Sequence, residues 1–271
     1  MAFKLFDYQS SGKGVSKSAP QKKPFFKYWE IFGRKFWKLI ELNMLYVLFC
    51  IPIITFGPAT AALTHVMRKF ILEQPCFVFD EFFTAFKKNF KQSVFIGIVD
   101  VIMIVSVWIA CFQFLMNESL PDGSLVFICI MICCATLVFI MHFYIYLEIV
   151  ALNLSIGSIL KNAVFLVFLG VKRNFIALII NLVIISLIVL FLPFSVFAVI
   201  FLPLSLMCFT TTFICYPVIQ KYIVNPYYEE RGERNPELGS ITEEDIAENA
   251  VFVDRGGSEK EIKATPKAHG K

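Results

Sequence analysis

The chain has 271 residues, of which 58% are apolar, 16% aromatic and only 17% charged, whereas an ordinary soluble surface needs about 25% charge. That balance excludes a conventional soluble domain and makes lipid the solvent for most of the chain. The net charge of +4 hides an asymmetry, because residues 1–38 carry nine Lys/Arg against Asp7 and Glu30, while residues 226–271 carry eleven acids against seven bases.

Residues 1–24 read as a disordered basic arm. The run from Pro24 to Lys38 interleaves aromatics with bases, as an amphipathic helix lying on a membrane surface does. Attraction to anionic lipid is the commoner reason for such a placement, so the expected partners are the bilayer and its anionic lipids, with no nucleic acid. The first apolar segment, Leu39 to Thr55, follows directly. Pro52, Gly57 and Pro58 are read as a helix-break motif, since proline lacks an N–H and clashes with the preceding turn. A short helix, Ala59 to Leu72, then ends on Arg68 and Lys69. Phe77 to Gln92 is aromatic and basic, a second surface helix, and Ser93 to Met116 is long enough to cross a hydrocarbon core of about 30 Å. After a polar loop comes a further crossing, Leu125 to Val150. Residues 153–174 are mixed, and Phe175 to Tyr222 is too long for one crossing and reads as a hairpin bent near Pro193 and Pro203. The domain division is therefore the arm, a helical membrane domain over residues 25–224, and a polar, mostly disordered acidic tail over residues 225–271. No signal peptide is expected, because 38 mostly polar residues precede the first apolar run.

Charge orders these segments. If the unit Leu39 to Leu72 enters and returns on one side, all 25 Lys/Arg fall in segments on one face, leaving Glu118 and Asp122 on the other. A single crossing would reverse that, against the positive-inside bias. The fold class expected is all-α: a multi-pass cell-membrane protein of six membrane segments, the first two a short or re-entrant hairpin, with both termini cytoplasmic. Cysteines placed at positions 56 and 119 are both expected to label from outside. The quartets Lys87-Lys88-Asn89-Phe90 and Lys172-Arg173-Asn174-Phe175 form a faint internal repeat, open to reading as a duplicated unit or as two ordinary cytoplasmic anchors.

An ionisable group within lipid is by default a functional candidate. Five qualify: Glu41, His65, Asp100, His142 and Glu148. Glu41 and Glu148 lie near helix ends and are expected to reach water. Asp100 is deeper, and is read either as a buried proton or cation site or as a structural partner of Arg68 or His65. Asn43, Gln113, Asn153 and Asn181 suit interhelical hydrogen bonding. His142 and Glu148 project to different faces and make no metal site, and the eight cysteines show no ligand spacing, so neither metal nor cofactor is expected. No zinc-protease motif, nucleophile elbow or phosphate loop is present, and the chain is not expected to be an enzyme.

The run Leu42-Asn43-Met44-Leu45-Tyr46 through Ile51-Pro52-Ile53-Ile54-Thr55-Phe56-Gly57-Pro58-Ala59-Thr60-Ala61-Ala62-Leu63 resembles the signature of the YesL family of bacterial membrane proteins of unknown function. Arg68-Lys69 and then Phe83 to Gln92 match the family's later basic turn and aromatic segment, and the resemblance covers roughly residues 25–228. It carries no catalytic or binding residue. Genes of the family often sit beside those for carbohydrate import, so the resemblance implies an accessory or regulatory role with a carbohydrate ABC importer. The alternatives are a small permease working through the broken unit 39–72, and a structural membrane scaffold.

Overall fold

A computed structural model describes residues 23–116, 124–152, 154–233, 235 and 237. The basic arm, most of the acidic tail, the loop bearing Glu118 and Asp122, Asn153 and the side chain of Gln113 lie outside the described residues. All regular elements among the described residues are helical, in the order α1 (Pro24–Cys50), α2 (Phe56–Ile71), α3 (Val78–Met116), α4 (Ser124–Ala151), α5 (Ile156–Leu169), α6 (Val171–Leu190), α7 (Ser195–Phe201), α8 (Pro203–Ile219) and, after a π-helical turn, α9 (Asn225–Glu230). They belong to one compact unit, residues 24–235.

Among the described residues four stretches, rather than the six segments expected, are long and apolar enough to cross a membrane: Val78–Ala110, Val126–Ala151, Val171–Leu190 and Pro203–Glu230. The two that fall short belong to the first hairpin. Helix α2 has 16 residues, or about 24 Å at the helical rise, and a hydrocarbon core takes about 20 residues.

Phe77 to Gln92 does not form a separate surface helix. It is the first part of α3, a single helix of 39 residues. No Gly or Pro interrupts the passage from Lys91 through Ser93, and the Ser93 hydroxyl folds back to donate to the Asn89 carbonyl at 2.6 Å. The related quartet at Lys172 sits differently, at the start of α6 just after a break at Gly170. The two quartets thus share sequence without sharing geometry.

The α1–α2 hairpin runs beside the basic half of α3. A Cβ on Gly57 would land on the Ser93 carbonyl oxygen, and one on Gly97 would sit 2.5 Å from Cα and N of Gly57. At the other end of α2, His65 and Lys69 both reach Glu81. Helices α2 and α3 are therefore antiparallel and in near backbone contact, and the hairpin apex stands at the level of Gly97. That is about 6 Å beyond Ser93, where the apolar part of α3 begins, and about 28 Å short of Met116. The hairpin apex therefore lies well short of the far end of α3.

The packed core lies at this end. Ala59, Ala61, Ala62, Val66, Met67 and Phe70 of α2 have no exposed surface, and α2 packs on α1, α3, α4 and α8 at once. Its small residues let those backbones approach. Toward the other end the helices present large apolar side chains outward, among them Ile102, Trp108, Phe127 and Leu190. Water does not tolerate a continuous apolar surface of that extent, whereas hydrocarbon does.

Candidate functional site

The hairpin turn is built differently from the break read in the sequence. Helix α1 ends at Cys50 and a 3-10 turn covers Ile53–Thr55, so of the three motif residues only Pro52 stands in the break, with extended backbone. Gly57 and Pro58 lie in the first turn of α2, where the missing proline N–H is no loss. The Thr55 hydroxyl lies 2.5 Å from the Phe49 carbonyl oxygen and 2.7 Å from that of Pro52. It thereby serves the Phe49 carbonyl, one of those that α1 leaves open at its end.

Asn43, one helical face back from that turn, is fully buried and serves a second break. Its Nδ2 donates to the Val199 and Ile200 carbonyls, both at 2.8 Å, and its Oδ1 accepts from the Ser205 N–H at 2.7 Å. The cause is Pro203, which cannot bond to the carbonyl four residues back and so frees Val199. One amide from α1 satisfies both sides of the α7–α8 break, a more specific task than the interhelical bonding expected of it. Asn174 serves the break at Gly170 on one side: its Nδ2 donates to the Val167 carbonyl of α5 at 2.9 Å, while its Oδ1 accepts from the Tyr144 hydroxyl of α4.

Asp100, His65 and Arg68 do not form one site. His65 lies 3.2 Å from Glu81, and burial holds its imidazole below the ordinary value while Glu81 pulls the other way. Arg68 donates through Nε to the Tyr216 hydroxyl at 2.7 Å and stacks its guanidinium 5.3 Å from that ring. Asp100 instead meets α4. One carboxylate oxygen faces His142 Nε2, and the other accepts from the Tyr146 hydroxyl at 2.6 Å. His142 and Tyr146 are four residues apart and so share a helix face, a spacing that the sequence displays and that pairing His142 with Glu148 overlooks.

Hydrogen-bond counting fixes the chemistry of this triad. His142 Nδ1 is 2.7 Å from the Val138 carbonyl oxygen, which can only accept, so Nδ1 carries a hydrogen. The Tyr146 proton is committed to Asp100. The hydrogen between His142 Nε2 and Asp100 is shared by the two side chains, so the three residues form one hydrogen-bonded chain three residues past the hairpin apex.

Glu148 does not reach water as expected. It is fully buried, and neither carboxylate oxygen has a partner in hydrogen-bond geometry, although the Asn162 side chain is near enough to act on it. Holding an ionised carboxylate there would cost several kcal/mol. Among the described residues no group of three or more His, Cys, Asp or Glu is placed to hold a metal ion.

No curated protein and no solved structure matches the chain. Residues 39–111, which carry the hairpin, Gly97 and Asp100, match the family described as "Protein of unknown function, DUF624".

Proposed function

We propose that this chain is an integral cell-membrane protein of the YesL type, accessory or regulatory to carbohydrate uptake as a partner of an ABC importer, with both termini cytoplasmic. Four helices of spanning length and a match to an uncharacterised family over residues 39–111 support the membrane part of this reading. The resemblance of the same stretch to the YesL signature supports the link to sugar import. The observation that carries it furthest is the α1 surface, where Phe25, Phe26, Trp29 and Trp37 stand exposed. That face suits contact with lipid headgroups and with a membrane-bound neighbour. Affinity purification of the intact protein in mild detergent is expected to recover importer subunits; recovering none removes the reading's basis.

The triad of Asp100, His142 and Tyr146 favours a second reading, a small permease that couples transport to the shared proton. In reconstituted liposomes it requires uptake that Asp100→Asn abolishes. Vesicles containing the wild-type protein and tight to every sugar and ion tried would leave the first reading standing.

A further inference from the structure

A cleft of about 400 Å³ opens where α5, α6 and the end of α8 meet. Two irregularities create it. Helix α5 stops at Gly170 and α6 starts at once, leaving a notch in the outer wall. Opposite, α8 carries Pro217 in its last turn and then widens into the π turn Gln220–Val224, a distortion that often marks functional positions. The turn carries Lys221 and Tyr222 over the start of α6, so that Lys172, Arg173 and Lys221 converge on one cavity. All three are exposed, none of the cleft's residues is acidic, and no Asp or Glu occurs in the chain between Glu148 and Glu229.

Beside these cations the rim is apolar. Leu169 and Val171 line the cleft, are 52% and 58% exposed, and continue into the exposed Phe168 and Phe175. Tyr222, 41% exposed, stands at the boundary with Lys221 Nζ 5.1 Å from its ring centre. Three cations converging on a cavity with an exposed apolar rim match a molecule with a phosphate at one end and hydrocarbon at the other.

From this we infer that the cleft is a binding site for the phosphate headgroup of an anionic glycerophospholipid. Lys172, Arg173 and Lys221 hold the phosphate, Tyr222 borders the glycerol region, and the acyl chains lie along Leu169, Val171 and Phe175. Basic pockets between spanning helices at a membrane boundary take such headgroups. The inference rests on α6 and α8 spanning a bilayer and is independent of any importer partner.

The test uses the full-length protein in mild detergent, with lipid retention followed by native mass spectrometry and thermal unfolding followed in parallel. Wild type is expected to retain phosphatidylglycerol over phosphatidylcholine and to be protected by it against heat. The variant K172Q/R173Q/K221Q is expected to lose that preference by about fivefold per charge, on the order of 100-fold in all. The equally discharged variant K87Q/K88Q/K91Q is expected to keep it. Equal retention in both variants, or equal loss, overturns the site. Protection of wild type by inorganic phosphate as strong as that by phosphatidylglycerol overturns the lipid assignment, even if the triple variant fails to fold. A failed importer purification leaves all these outcomes intact, so the two readings fail separately.

Discussion

A single amide on α1 holds a helix break that lies 156 residues and more away in sequence. Replacing Asn43 by Leu keeps the volume but removes the partner of the buried Ser205 N–H and of the part-buried Val199 and Ile200 carbonyls. A fully buried orphan costs about 1–3 kcal/mol and a part-buried one less, so N43L is expected to lower stability by about 2–4 kcal/mol, read as a depressed thermal midpoint in detergent. An unchanged midpoint would mean that the break is solvated. Nothing local to Asn43 announces this task. Its partners are backbone groups of a break whose own cause, Pro203, is visible in the sequence while its position against α1 is not. The His142 and Tyr146 pair is the opposite case, since their i, i+4 spacing is plain and only the choice of Asp100 as partner needed the packing of α3 on α4.

Helices α2 and α3 depend on two glycines that face each other. The signals for them are Ser93-x-x-x-Gly97 and Gly57-x-x-x-Ala61, small-residue pairs of the kind that let helix backbones touch in a membrane. Gly97→Leu is expected to cost at least about 3 kcal/mol, because the added side chain meets backbone that cannot move aside. Gly157→Ala, in open space on α5, is the matched control and is expected to be neutral or mildly stabilising. If the two variants unfold together, the close approach does not support the fold. The same register sets the depth of the hairpin. A cysteine at position 56 is expected to resist a membrane-impermeant maleimide applied from either side, because Ile51, Ile53 and Ile54 around it turn exposed apolar surface outward about 6 Å inside the apolar part of α3. Labelling from outside would show that the hairpin crosses.

Across the whole molecule, the basic helix ends gather at one end of the bundle. Arg34 pairs with Glu73, Lys38 donates to the Cys76 carbonyl and Lys69 pairs with Glu81, tying together the start of α1, the end of α2 and the start of α3. Gln92 donates to the Leu154 carbonyl at 2.8 Å, bringing the end of α4 to a level about 16 Å farther along α3 than Glu81. With these cations near one end of the bundle, the positive-inside bias would place that end in the cytoplasm. Reporters fused at either terminus are therefore expected to be accessible in inverted vesicles and protected in intact cells. A reporter accessible from outside at either end would break the topology.

Composition by itself determined the solvent: an all-α chain with so little charge has lipid as its surroundings, because only helices or closed barrels satisfy their backbones there. The clustering of Lys and Arg determined that residues 39–72 turn back, since charge placement is a sum over segments and needs no knowledge of contacts. The tertiary structure decided how far they go before turning, because depth depends on the register between Gly57 and Gly97. It decided as well which polar groups meet. Asp100 stands beside His142 and Tyr146, Arg68 goes to Tyr216, and Lys172 and Arg173 share a cleft with Lys221, because helix rotation, the breaks at Gly170 and Pro203 and the π turn after Pro217 orient those side chains.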